Sequence, residues 1–178
     1  DTYFGRNLDL EYHFGERVVV TPRNYCFRFR KNEAVYKEHL AIIGMATVVD
    51  DYPLYAEAAN EKGVYVAGLY FPGNAWYTDE IKPDRDNITP FELIPWLLSY
   101  SSSLQDVREL LSRINLINVP FSDKMPLAGL HWHIADKESS IVLESTKDGL
   151  KVYDDPAGVL TNNPPFDFHM QNLRQYMN

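Results

Sequence analysis

The stretch 129–156, "GLHWHIADKESSIVLESTKDGLKVYDDP", constrains the fold more than any other part of the chain. Three strand-like runs, 129–136, 140–146 and 150–154, follow one another with only a few polar residues between them. Connections this short join antiparallel neighbours, because a parallel pair needs a crossover of about a dozen residues or more. Asp148-Gly149 and Asp155-Pro156 supply the turn chemistry, the second leading toward "GVLTNNP". An antiparallel meander is therefore predicted, and the remaining sequence has to cover it.

The other elements follow from spacing. Residues 18–20 are β-branched and end at Thr21-Pro22, so they read as a strand. In "NYCFRFRK", Tyr25, Phe27 and Phe29 alternate with Cys26, Arg28 and Arg30, which predicts a strand with one apolar and one basic face. Residues 40–49 read as a fully buried strand and 64–71 as another. Between them, 52–63 reads as weakly helical and ends in a turn at Lys62-Gly63. Thr89, Pro90 and Glu92 form a capping-box start, and Pro95 should kink that helix or delay it. Ser103 and Asp106 form a second box-like start, with Leu104, Val107, Leu111 and Ile114 as one helical stripe behind it. Phe166, Met170, Leu173 and Met177 keep helical spacing. Strands, two helices, strands, helix is an α+β order, with antiparallel sheets covered by helices in a single domain, 1–178.

The first residues raise a separate problem. "YFGRNLDLEY" (3–12) has the aromatic and leucine positions of a buried strand, yet carries Arg6, Asn7 and Asp9 among them. Buried charges are costly unless paired or used. Strict alternation places Arg6 and Asp9 on opposite faces, so they share a site only if the strand ends or bulges near Leu8. The chain begins without Met and stops inside a helical pattern at "NLRQYMN", which leads us to expect a fragment, incomplete at both ends.

Composition excludes several function classes. The formal net charge is −8 and no large Lys/Arg cluster is present, so no nucleic-acid surface is expected. No apolar run reaches the length of a membrane helix, and no secretory signal pattern opens the chain. A single cysteine forbids an internal disulfide and fits a reducing, cytoplasmic setting.

Four sets of residues could carry chemistry. Cys26 shares its strand face with Arg28 and Arg30, whose positive charge lowers a thiol pKa, but no histidine motif accompanies it, and it reads as incidental. His131 and His133 alternate on one strand and flank Trp132; no carboxylate or cysteine at ligand spacing completes a metal site, and they read as structural. Asn162 and Asn163 lie at a strand end before Pro164-Pro165, where an amide serves either a turn or an oxyanion. Arg6 and Asp9 come closest to demanding a function, against the alternative of a structural ion pair.

Long ordered motifs carry the reading further. "FGRNLDLE", "TPRNY", "DDYPLYAEAANEKG", "AGLYFPGNA", the meander stretch and "GVLTNNPPFDFHMQNL" together resemble the choloylglycine hydrolase family, which contains bile salt hydrolases and penicillin V acylases. The resemblance runs from end to end and is nearest to the bile salt hydrolases of gut Gram-positive bacteria. It implies the N-terminal nucleophile (Ntn) hydrolase fold, an αββα sandwich of antiparallel sheets between helix layers, present here in part. It also implies an N-terminal cysteine nucleophile about a dozen residues upstream of Asp1, with the free α-amine as base. That explains why Cys26 sits in no triad and argues against it as the catalyst, since an internal cysteine has no α-amine.

By the same resemblance, Arg6 and Asp9 fall on the pair beside the nucleophile. Asp9 would orient the α-amine and Arg6 would favour the thiolate. The oxyanion asparagine falls on Asn162, and the backbone N–H of Tyr70 supplies the second donor. Tyr70 stands where bile salt hydrolases usually carry Asn and penicillin V acylases carry Tyr. Leu8, Phe14, Val49, Ala56, Phe121, Met125 and Leu130 fall on the substrate trough, and all seven are apolar, as a steroid requires. The implied activity is hydrolysis of the amide of glycine- or taurine-conjugated bile salts, with no cofactor and no metal. The alternatives are a penicillin V acylase and a non-catalytic binding module that keeps the pocket. The family often forms tetramers.

Overall fold

Ile42–Val49 (β4) and Tyr52–Asn60 (β5) are joined by two residues, Asp50 and Asp51, both with positive φ, as a tight hairpin turn requires. Around this hairpin a computed structural model describes residues 2–9, 13–31, 35–36 and 38–176. Arg17–Thr21 (β1) pairs with β4, and Tyr65–Tyr70 (β6) pairs with β5. The predicted meander is Leu130–Ala135 (β9), Ser140–Thr146 (β10) and Gly149–Asp154 (β11), and β9 joins it to β6. The result is a seven-stranded antiparallel sheet in the order β1-β4-β5-β6-β9-β10-β11. Phe27–Arg28 (β2) and Val35–Tyr36 (β3) form a two-stranded pair. Asp86–Ile88 (β7) and Ile114–Leu116 (β8) form another, which is parallel because two helices cross between its strands.

Those helices are Leu93–Tyr100 (α1) and Leu104–Arg113 (α2). They pack on one face of the sheet, where Ile42, Ala46, Tyr55, Ala58, Val66, Trp132, Ile134, Ile141 and Leu143 meet Leu93, Trp96, Leu97, Val107 and Leu111 in a single core. Glu92 reaches back to accept from the Thr89 N–H (3.0 Å), as the capping box predicts. Pro95 falls in the first turn of α1, where a missing N–H costs nothing, so the helix starts late and is not kinked. In α2 the Asp106 N–H donates to Ser103 Oγ (3.3 Å), while the Asp106 carboxylate accepts from Ser102 N (2.7 Å). Ile114 ends the predicted stripe in β8, not in the helix. Phe166–Arg174 (α3) begins over the opposite face, its Phe166 ring 5.5 Å from Tyr153. Met177 lies outside the described residues.

Four expectations need correction. Residues 52–60 are a strand, not a weak helix. The register places Met45 opposite Glu57 and Ala46 opposite Tyr55, so Ala56 is the extra residue of a β-bulge. The bulge resets the parity of β5, and Pro53, Tyr55, Ala58 and Asn60 are all buried. Their uneven spacing breaks the strand period of two. Gly44 is required beside it: a Cβ there would stand 2.1 Å from the Glu57 carbonyl oxygen and 2.5 Å from Ala58 Cβ. Second, β4 is not fully buried, since Ile43 is half exposed on the face away from α1. Third, residues 2–9 form no strand, and Tyr3 is almost fully exposed; 10–12 lie outside the described residues. Fourth, Asn162 and Asn163 sit in a loop, not at a strand end.

Glu61, in the β5–β6 turn, accepts from Arg23 Nε (2.8 Å) and from the Ala41 N–H (2.8 Å). These donors, Arg23 first, lower its carboxyl pKa from 4.5 to about 2. A depressed carboxylate stabilises the fold above its unfolded pKa and loses that contribution as pH falls through the folded value. Glu61→Gln should therefore lower Tm at neutral pH, with the difference from the parent shrinking between about pH 5 and about pH 2, so that the acid decline is flatter. Thermal unfolding across that range checks it; an unchanged acid limb would reject the assignment.

Candidate active site

β4 and β6 finish at the end of the sheet from which β5 and β9 start, since Val49 pairs with Tyr52 and Tyr70 with Leu130. β1 also starts toward that end, with Arg17 opposite Ala46. Topology alone thus gathers Val49, Tyr70, Leu130 and the approach through Phe14 at one rim. Phe14 is largely exposed there. The Phe121 ring lies 5.8 Å from that of Tyr52 and 5.3 Å from that of Phe91, and a bridge from Ser122 to Met125 keeps Met125 next to it. Arg30 stacks its guanidinium over Phe121 (4.8 Å) and Phe91 (5.5 Å) and donates to the Phe121 carbonyl. Leu8 is half buried.

Ala56 owes its place to the bulge. Its carbonyl, outside the ladder, accepts from Arg6 Nη1 (2.8 Å). Arg6 Nε lies 3.9 Å from Glu57 Oε2, and Glu57 in turn accepts from the Tyr65 hydroxyl (3.0 Å). Burial pushes the Arg6 pKa down, while Glu57 and then Tyr65 pull it back up. The ring of Phe4, two residues before Arg6, stacks on Tyr65 at 4.7 Å. Arg6 is therefore used rather than idle, and it faces the bulge. Asp9 is exposed, and among the described residues it forms no ion pair with Arg6.

The decisive contact joins residues 92 apart in sequence. The Tyr70 N–H donates to Asn162 Oδ1 at 3.0 Å. A backbone N–H only donates, so it fixes the amide's orientation: Oδ1 faces Tyr70 and Nδ2 turns away. Among the described residues Nδ2 has no hydrogen-bond partner. Asn163 bridges the same two loops, donating to the Pro72 carbonyl (2.8 Å) and accepting from Asn74 Nδ2 (2.8 Å). The Tyr70 N–H and the Asn162 amide are thus side by side at the rim that gathers the apolar residues.

A family profile for linear amide C–N hydrolases, choloylglycine hydrolase family, matches residues 1–178. The chain belongs to the choloylglycine hydrolase family. It is 52% identical over 176 residues to the bile salt hydrolase/transferase of Lactiplantibacillus plantarum, covering 99% of this chain and 54% of that protein. It is 41% identical over 175 residues to the protein of the same name from Clostridium perfringens, covering 98% and 53%. The chain thus spans about half the length of the curated relatives it matches. A crystal structure of a variant conjugated bile acid hydrolase from C. perfringens superposes with a TM-score of 0.89 at 40% identity, over 96% of this chain and 52% of that one. Penicillin V acylase from Agrobacterium tumefaciens shares the fold, with a TM-score of 0.76 at 15% identity over 97% and 52%. The fold is that of the Ntn hydrolases, with a large antiparallel sheet and, among the described residues, three helices.

In this choloylglycine hydrolase family member the other candidates are structural. Cys26 is a half-buried free thiol. His39, whose ring lies beside Phe27, has both nitrogens on the carbonyls of Tyr25 and Leu40 and so offers Cys26 no base. His131 Nδ1 meets Glu144 Oε1 (3.1 Å), and His133 Nε2 meets Asp155 Oδ2 (3.1 Å). Sequence reasoning missed both carboxylates. Glu144 stands one step beyond the Trp132–Leu143 pair, so the hairpin register of the meander would have found it. Among the described residues no three of His, Cys, Asp and Glu gather as metal ligands, and no helix is long and apolar enough to cross a membrane.

Proposed function

We propose that this chain carries the acyl-binding and oxyanion-stabilising part of a hydrolase for conjugated bile salts. The observation that carries the reading is the Asn162–Tyr70 contact at an apolar rim, in a chain 52% identical to a named bile salt hydrolase/transferase. The nucleophile is the family's N-terminal cysteine, upstream of Asp1. Its thiolate attacks the amide carbonyl carbon, with the α-amine taking the thiol proton. The oxygen becomes an oxyanion and receives hydrogen bonds from Asn162 Nδ2 and from the Tyr70 N–H, which exchanges Oδ1 for it. Collapse expels the glycine or taurine amine, protonated by the α-ammonium, and leaves a thioester. Water then cleaves the thioester and releases the free bile acid.

Leu8, Phe14, Val49, Ala56, Phe121, Met125 and Leu130 line the steroid side. Arg6 favours the thiolate, and Asp9 orients the α-amine once the N-terminal segment is seated. The protein acts in the cytoplasm, as a homo-oligomer when full length.

The test is kcat/KM for glycocholate against penicillin V in a full-length family member carrying these 178 residues. A preference for glycocholate is expected. A preference for penicillin V would move the protein to the acylase branch and make Tyr70 the informative residue. Binding of either without turnover would leave a binding module.

A further inference from the structure

Beneath the oxyanion contact lies a buried ionisable pair that the reaction does not use. Glu144 and His131 are both essentially inaccessible to solvent, at 1% and 0% exposure. A single oxygen, Glu144 Oε1, accepts from His131 Nδ1 (3.1 Å) and from the Phe166 N–H (2.8 Å), the first amide of α3. A carboxylate at a helix N-terminus also meets the positive end of the helix dipole. On its other side, His131 stacks face to face with Phe71, centroids 4.3 Å apart and planes 6° from parallel.

These contacts lead to the two oxyanion groups by separate routes. Phe71 is the residue after Tyr70, so the His131 ring fixes the chain that presents the Tyr70 N–H. α3 carries His169, whose Nε2 lies 2.9 Å from the Asn162 carbonyl; a carbonyl only accepts, so Nε2–H donates and holds the residue whose amide meets Tyr70. The Asn163 bridges to Pro72 and Asn74 add to the join, but they are exposed and compete with water. The His131–Glu144 bond is dry, and hydrogen bonds in such surroundings hold geometry more firmly.

We propose that His131 and Glu144 are positioning residues for the oxyanion hole: one buried pair sets the separation between the Tyr70 N–H and Asn162. This rests on the hydrolase reading for its kinetic consequence but not for its structural one. A displacement of about 1 Å at a reacting group costs roughly a hundredfold. Glu144→Ala should therefore lower kcat about ten- to a hundredfold while KM changes less than about twofold. Amide hydrogen exchange in the peptide containing Tyr70 and Phe71 should speed up in the same variant. Glu144→Gln keeps an oxygen for both donors and should restore most of kcat.

The experiment uses a full-length family member carrying these residues, with glycocholate as substrate and exchange measured on the same preparations. Should Glu144→Ala fail to fold, His131→Phe keeps the stacking surface for Phe71 and removes only the donor, and the same two readouts apply. A purely structural pair would lower Tm and leave kcat of the folded fraction and the exchange of Tyr70 unchanged; that result overturns the proposal. Faster exchange without turnover of any amide by the parent protein would sink the hydrolase reading and leave the positioning intact.

Discussion

Asn162→Ala, made in a full-length family member carrying these 178 residues, is expected to lower kcat on glycocholate about 100- to 1000-fold, with KM little changed. The size follows from what the amide does at each stage. In the free protein its Oδ1 accepts the Tyr70 N–H, and its Nδ2 has no partner among the described residues. On the proposed role, ground-state substrate gains little from it, whereas a tetrahedral oxyanion gains a hydrogen bond that forms only as charge develops. Such a bond acts on kcat, not on binding. Asn162→Asp is expected to be worse than alanine. One carboxylate oxygen still satisfies Tyr70, but the other faces the oxyanion with negative charge. Single-turnover acylation rates separate this step from thioester hydrolysis. An Asn162→Ala variant within about threefold of the parent would remove Asn162 from the site.

The part of the fold that was legible is the part governed by local rules. The meander and its turns, the two capped helices and the strands 18–20 and 64–71 all follow from period, cap and turn chemistry. The errors have one cause, which is that period counts fail where the chain departs from a regular strand. Ala56 inserts one residue into β5, so the buried positions 53, 55, 58 and 60 lose the strand period of two. At the N-terminus, Phe4 is apolar because it stacks on Tyr65, and Arg6 is there to hold the bulge. Neither reason has a periodic signature. The candidate site was suggested only by motif resemblance. Tyr70 and Asn162 meet across 92 positions, and no spacing rule reaches that far. The His131–Glu144 pair lies between these cases, since a register count from the meander would have placed the two side by side.

Arg6→Ala should lower kcat/KM about a hundredfold and move its acid limb to higher pH. Two effects combine. Arg6 is the donor to the Ala56 carbonyl that the bulge leaves outside the ladder, and it stands 3.9 Å from Glu57. Removing it leaves a partly buried carbonyl unpaired, at a cost of about 1–3 kcal/mol, and frees the rim strand to shift. On the proposed role it also removes the cation that favours a thiolate, so the nucleophile's pKa should rise and more of it should be protonated at a given pH. Arg6→Lys separates the two. An ammonium retains the positive charge but not the fork that reaches Ala56 while facing Glu57. If the charge dominates, lysine returns the acid limb to its original place and restores most of the rate. If the clamp dominates, lysine behaves like alanine in rate and differs only in the limb. Asp9→Asn should act on rate without lowering Tm, because Asp9 is exposed and forms no ion pair with Arg6 among the described residues. A parent-like rate and pH profile in Arg6→Ala would leave the arginine a structural clamp for the bulge and nothing more.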